Sequence, residues 1–383
     1  MYVEELLLKY QNMGVTFYLD GEKLRYTAPK GIMNTETKEE VRKCKVEIIE
    51  YIKMNGDKVI CDPKNKFSPF PLTDIQSAYL VGRNKTYEYG GIGCKIYSEF
   101  QYASLDIKRF KKAWEKVIIH NDMLHAVIHE NGTQQILENY TIPEIKVWQL
   151  NEMSDEKVVF QREKIRERLT EKQYQPGTWP LFDVEISYVK NNIIIHFSLD
   201  MLVADFSSIN IIMEELEKYY YNEKMPQKKK LSYRDIVKYN VNSIKLPDHA
   251  EKRKKDEKYW KDRISNMPEG PSLPLNVKEE LVSVYQLNTY IEKQQMIRLS
   301  EFAKSNNLTL STVILSMYIE VLRYWSEKKD FCINITMSDR ADIHSEINKV
   351  IGDFTVVDIL ETRNTPEQDF IEQRMCKNSY GKI

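Results

Sequence analysis

The sequence predicts a mixed α/β (α+β) chain in which a small αββα unit precedes a larger body. Three observations carry that reading. Residues 192–199 (Asn-Ile-Ile-Ile-His-Phe-Ser-Leu) have the length and β-branched content of a buried strand, and residues 209–216 repeat their apolar side chains at helical spacing. Near the start, two short strand-like runs flank a turn and lie between helical patterns. At 383 residues the chain exceeds a single small domain and suffices for two or three.

Composition narrows the function classes. With 42% hydrophobic and 30% charged residues the chain reads as globular, and a formal net charge of -1 gives no bulk electrostatic case for nucleic acid or membrane partners. No apolar run is long enough to span a bilayer and no signal peptide opens the chain, so the cytoplasm is the expected location. Five scattered cysteines form no C-x-x-C pair, which supports neither a zinc site nor a disulfide framework.

Residues 1–56 read as a unit of their own. Val3, Leu7 and Tyr10 share a face of a first helix that stops at Gly14. Residues 15–19 and 24–28 are strands around the turn Asp20-Gly21-Glu22-Lys23, and Pro29 and Gly31 then break the chain. Asn34 or Thr35 caps one further helix, with Val41, Cys44, Lys45, Ile48 and Ile52 on its inner side. The pattern G-V-x-F-x-x-x-G-E-K-L-R-Y-x-A-P-K-G resembles the tubulysin-type N-terminal docking domain of hybrid peptide–polyketide synthetases over residues 2–54. The resemblance implies that the hairpin edge accepts the C-terminal tail of an upstream synthetase subunit as an added strand, with Lys23, Arg25 and Lys30 pairing its acidic residues. By residue type alone these three are ordinary solvated charges.

Residues 57–68 read as a linker, and the body follows as 69–245 and 246–383. In Phe70-Pro71-Leu72-Thr73-Asp74-Ile75-Gln76, Thr73 and Gln76 are expected to cap and pack a helix. Residues 92–102 alternate as a strand, and Asp106 caps a helix running through Trp114 to His120. His120, His125 and His129 fall close together, but no carboxylate or cysteine completes a metal set, so structural or surface roles are expected. Residues 156–168 form a charged helix, and Trp179-Pro180-Leu181-Phe182 leads into the strand before the central hairpin. Ser232 begins a helix, residues 252–263 form a solvated helix of both charge signs, and residues 268–275 are a proline-rich crossing. Residues 309–325 are an apolar helix and residues 331–336 a strand, followed by Arg340, His344 and Gly352-Asp353-Phe354-Thr355.

The loop between the central strand and its helix, residues 200–208, reads D-x-x-x-x-D-x-x-S through Asp200, Asp205 and Ser208. It resembles the active-site motif of heterocyclization domains in nonribosomal peptide synthetases. The opening motif at 70–83, His120-Asn121-Asp122-Met123-Leu124 with Asn131-Gly132-Thr133-Gln134, and G-D-F-T at 352–355 extend that resemblance over most of 67–360. Amide-forming condensation relatives carry H-H-x-x-x-D-G in the same frame. Asp200 and Met201 take the places of the two histidines, which disfavours ordinary amide formation by that motif. The resemblance implies a chloramphenicol-acetyltransferase-like two-lobed pseudodimer with a tunnel between its lobes. Its partners would be upstream and downstream carrier proteins bearing aminoacyl groups on phosphopantetheine arms; no cofactor is expected on the chain itself.

Heterocyclization condenses two carrier-bound groups, closes a Cys, Ser or Thr side chain onto the new amide and expels water. It asks for an acid–base group, oxyanion donors and exclusion of bulk water. Asp200 and Asp205 are the candidate acid–base groups, although Asp205 is expected to hold the loop through Arg340 or Arg83. Ser208 is expected to cap the following helix, Asn334 to orient the intermediate, and Asp353 and Thr355 to lie near the tunnel. The chain carries no nucleophile elbow, P-loop, H-E-x-x-H or dinucleotide fingerprint.

In the family the second lobe continues beyond G-D-F-T, and the threonine and aspartate credited with cyclodehydration lie there. The tail at residues 376–383 fits no part of the pattern, so the chain reads as a truncated form with an unpaired sheet edge and exposed apolar faces. Two alternatives stay open: a remnant that docks without turnover, and a condensation domain that never cyclises.

Overall fold

The computed structural model describes residues 3–20, 23–55, 59–87, 90–222, 228–244, 247–274 and 289–364. The chain divides into two compact units, Met1–Lys254 with Ser338–Val356, and Lys255–Met337 with Val357–Ile383. The tail at 376–383, which the sequence places on no family element, lies outside the described residues.

In the first unit, helix α1 (Val3–Asn12) precedes the antiparallel strands β1 (Thr16–Asp20) and β2 (Lys23–Thr27). The expected single helix after them is two, α2 (Thr35–Lys43) and α3 (Lys45–Asn55), broken at Cys44. The break lets Val41 and Ile48 both reach a small core with Leu6, Leu7, Tyr10 and Val15. Asn34 caps α2 by accepting the Thr37 N–H at 2.9 Å.

The body begins at β3 (Phe70–Pro71) and α4 (Asp74–Val81), the latter started by a reciprocal capping box between Thr73 and Gln76. There follow β4 (Lys95–Tyr102), α5 (Ile107–His120), β5 (Ala126–Ile128), β6 (Thr133–Ile136), β7 (Lys146–Gln149) and α6 (Asp155–Glu171). The hairpin β8 (Phe182–Val189) and β9 (Asn192–Asp200) leads to α7 (Phe206–Tyr220) and α8 (Tyr233–Ser243). The main sheet runs β4-β9-β8-β7, and a smaller one β3-β6-β5.

Strand β9 sits inside the main sheet, antiparallel to both neighbours, so both of its edges are paired. Ile193, Ile195, Phe197 and Leu199 face the apolar core, where Trp114 of α5 meets Phe182 and Phe197 edge-on at 5.4 and 5.9 Å. The alternate residues His196, Ser198 and Asp200 are also buried, but among polar partners that include α6. Alternation thus delivers Asp200, the last residue of the strand, to a polar face.

Helix α9 (Pro247–Arg263) is followed by α10 (Lys293–Ser305) and α11 (Leu310–Trp325) in the second unit, and by the paired strands β10 (Phe331–Ser338) and β11 (Thr355–Thr362), most of whose residues belong to it. The proline-rich run expected as a crossing lies inside this unit: the Cys332 N–H donates to the Glu269 carbonyl at 2.8 Å and the Ser272 N–H to Ser326 Oγ at 3.0 Å.

Candidate active site

Asp200 is 1% exposed and both of its oxygens are taken. Arg83, just after α4, sets Nη2 at 2.6 and 2.5 Å from the two oxygens and donates from Nη1 to the Tyr174 carbonyl at 2.6 Å. The Leu202 N–H adds a third donor at 3.0 Å. Loss of solvent pushes the Asp200 carboxyl above its ordinary value, against the pull of Arg83. Arg83 therefore serves Asp200, not Asp205.

Asp205 is the N-cap of α7: its Oδ1 accepts the Ser208 N–H at 2.7 Å. Ser208 sits within the first turn and is not the cap that the sequence suggested. Its hydroxyl lies 2.6 Å from Asp205 Oδ1, 2.9 Å from the Gly352 carbonyl and 3.1 Å from the Gly352 N–H. Arg340 Nη2 bonds Asp205 Oδ1 and Ser208 Oγ, both at 3.0 Å, and Ser338 donates to Asp205 Oδ2 at 2.8 Å. Arg340 is anchored in turn on the carbonyls of Ile347 and Val350. Asp205 with Ser208 thus bolts the loop to the returning segment 338–356, as the Arg340 pairing expected for it requires.

Gly352 is fixed by space. A Cβ there would stand 2.2 Å from the Tyr233 ring, whose hydroxyl donates to the Asp353 carbonyl at 2.6 Å. Phe354 packs edge-on to the same ring at 5.3 Å and carries the Arg340 guanidinium 3.9 Å over its face. Asp353 is 2% exposed; its Oδ1 accepts the Thr355 N–H at 3.0 Å, and its Oδ2 has no partner among the described residues. Burial, with the charge of Asp205 behind it, pushes this carboxyl up to about 6 against the hydrogen bonds of Thr355. Burial, then the charge of Asp353, pushes the Tyr79 hydroxyl up to about 12.

Gln76 also holds the loop, with Gln134 behind it. Gln76 is fully buried and donates to the Leu202 carbonyl at 2.6 Å. It also exchanges amide hydrogen bonds with Gln134 at 3.0 and 2.8 Å. The signal was present, since both glutamines close quoted motifs, but nothing in spacing pairs residues 58 apart. Asn334 is exposed on β10 in the second unit. Lys23, Arg25 and Lys30 are exposed on and just after β2. The three neighbouring histidines go separate ways: His120 Nδ1 to the Lys116 carbonyl, His125 Nδ1 to the Leu137 carbonyl, His129 Nε2 to Gln135. Among the described residues no group of three His, Cys, Asp or Glu is placed to hold a metal, and no helix is long and apolar enough to cross a membrane.

Residues 70–374 match the family described as Condensation domain, and residues 3–53 match the TubC N-terminal docking domain. The chain is 32% identical over 315 residues to bacitracin synthase 1 of Bacillus licheniformis, covering 80% of this chain and 6% of that one. It is 26% identical over 377 residues to pyochelin synthetase PchF of Pseudomonas aeruginosa, covering 97% and 21%. The chain thus spans about a fifth or less of the length of these curated relatives. Among solved structures it resembles the EpoB NRPS cyclization-docking bidomain of Sorangium cellulosum, with a TM-score of 0.75, 25% identity, and 98% of this chain and 76% of that one covered.

Proposed function

The chain belongs to the condensation-domain family, and from that premise we propose that it condenses aminoacyl groups tethered to carrier proteins and closes the product to a thiazoline or oxazoline. The observation that carries the reading is the loop itself. Asp200 occupies the place of the first histidine of the amide-forming frame, and Asp205 with Ser208 completes D-x-x-x-x-D-x-x-S. The likeness to a cyclization-docking bidomain over nearly the whole chain supports it. In this reading Asp200, Asp205 and Ser208 form the floor of the site, Asp353 and Thr355 line the substrate path, and Asn334 orients the intermediate. The acyl groups arrive on phosphopantetheine arms of upstream and downstream carriers.

The hairpin β1–β2 takes the C-terminal tail of an upstream subunit as an added strand. Each of its strands has one unpaired edge among the described residues, and Lys23, Arg25 and Lys30 place positive charge beside it for an acidic tail.

The test supplies the 383-residue chain with donor carriers loaded with each amino acid in turn and acceptor carriers loaded with Cys, Ser or Thr. The expected product is lighter than the linear amide by one water. Amide that never loses water points to condensation without cyclisation. Tail binding with no product at all points to a docking remnant.

A further inference from the structure

The motif loop turns its acids inward. Both oxygens of Asp200 are taken by Arg83, with the Leu202 N–H as a third donor, and Asp205 is held by Arg340, Ser338 and Ser208. Asp200, Leu202, Val203, Ala204, Asp205 and Ser208 are all buried. Side chains with so little surface shape a site without lying against what binds in it. Met201 and Ser207 are half-buried, and Phe206 is 71% exposed. Phe206 is therefore the side chain that the loop shows most fully to its surroundings. Packing gives no reason for it. Helix α7 buries Ile209, Ile212, Leu216 and Tyr219, and the helical period sets residue 206 with the exposed Asn210 and Glu217 on a separate, polar stripe. Capping gives none either, since Asp205 carries it through the Ser208 N–H. The surface opens beside the ring. Asp205 precedes Phe206 in the chain, and its Oδ2 accepts from Ser338, an exposed residue, at 2.8 Å. One hydroxyl thus separates the motif carboxylate from solvent on that side.

We propose that Phe206 is a specificity-determining residue of the condensing step: its ring packs against the side chain of the tethered donor and favours apolar donors. This rests on the reading of the body as a condensing domain. An isolated exposed phenyl elsewhere on the surface needs no account. This one adjoins the motif aspartate on the side where that acid meets solvent. Of the two tethered groups, the acceptor carries Cys, Ser or Thr, whose short side chain folds back on the new amide carbonyl. The donor's side chain takes no part in bond making and is free to lie along a ring. An apolar donor side chain removes its own surface and that of the phenyl from water together. A polar one gives up hydrogen bonds to water that the phenyl does not replace. The ring thus sorts donors while the reacting atoms stay the same.

In the test, two donor carriers, one loaded with leucine and one with asparagine, compete in a single reaction with the full chain for an acceptor carrier loaded with Cys. The two side chains have nearly the same shape and opposite polarity. Mass spectrometry reads the ratio of the two products, linear and cyclised forms counted together. Expected from the wild type is an excess of about tenfold for the leucine product. Phe206→Ala should bring that ratio down about tenfold, toward one, and Phe206→Leu should keep it within about threefold of the wild type. Both donors meet the same protein molecules, so a variant that only folds less well makes less of both products at an unchanged ratio. A wild-type ratio at or below one, or a ratio that Phe206→Ala leaves unmoved, overturns the role of Phe206 and leaves the condensing reading intact. A wild-type chain that forms no amide from any loaded donor overturns both.

Discussion

At the scale of single residues, the acids of the motif divide by their partners. Asp205 ties Arg340, Ser338 and Ser208 together, all buried or half-buried except Ser338. Asp205→Ala leaves a guanidinium 9% exposed without its counter-ion, and should cost about 3–5 kcal/mol in a denaturant titration. Asp353 behaves in the opposite sense. Folded, it keeps its proton to about pH 6, whereas an unfolded aspartate releases it near pH 4. Between those values the native state binds the extra proton, so stability falls as pH rises, by ~3 kcal/mol in all. Asp353→Asn should abolish that slope and be the more stable protein at pH 7. His196 supplies a counter-slope. Burial pushes it down to about 4, so the unfolded state binds the extra proton from about pH 6.5 downward and stability is lost on acidification. The wild-type denaturant midpoint should therefore fall relative to that of Asp353→Asn as pH rises from about 4 to about 6. Parallel curves for the two proteins would refute the assignment.

At the scale of elements, β9 and the loop after it show how an apolar pattern conceals a polar site. Residues 192–199 read as one buried run, and the strand is buried on both sides. Yet one side carries His196 between Tyr97 and Ser187 at 2.8 and 2.7 Å, and ends at the Asp200–Arg83 pair. The loop is then held from two directions, by Gln76 at the Leu202 carbonyl and by Gly352 at the Asp205 N–H. Gly352→Ala would force the Tyr233 ring away and with it the contact to Asp353. A loss of about 2–4 kcal/mol and of the loop's amide protection in hydrogen exchange is expected. Amides protected as in the wild type would show that the segment tolerates the displacement. Helix α11 presents Ile314, Met317, Tyr318, Val321, Tyr324 and Trp325 to solvent.

At the scale of the molecule, the docking unit does not hang from the body. Within the stretch read as a linker, Val59 and Asp62 are 3% and 2% exposed. Asp62 meets Arg234 at 3.4 Å, and its N–H donates to Asp235 at 3.2 Å. Asn12 of α1 accepts from Lys238 of α8 at 2.6 Å, and the Gln11 amide reaches the Ile60 carbonyl at 3.4 Å. Arg234→Ala leaves Asp62 and Asp235 as buried, unpaired acids, so local opening of the junction should become about tenfold easier. Faster proteolytic nicking within 57–68, with the folding of α1 to α3 unchanged by amide exchange, is the expected readout. An unchanged nicking rate would mean that other contacts hold the junction.

What the sequence determined by itself is local or periodic. The hairpin of the docking unit, the strand, loop and helix around 192–216, and the caps at Asn34, Thr73 and Asp106 follow from short-range spacing, and the motifs follow from a resemblance to a known family. The break at Cys44 escaped it because helical periodicity carries across a single turn. The partners of the motif acids lay open too. Arg83 and Arg340 were both candidates for Asp205, and tertiary structure gave one arginine to each aspartate. The same holds for the cap of α7, which falls to Asp205 because Ser208 is drawn to Gly352, 144 residues away. The exchangeable proton of Asp353 was the least legible of all. A carboxyl's affinity for its proton is set by which charges and donors surround it and by how little water remains, and the chain assembles those surroundings from segments far apart in sequence.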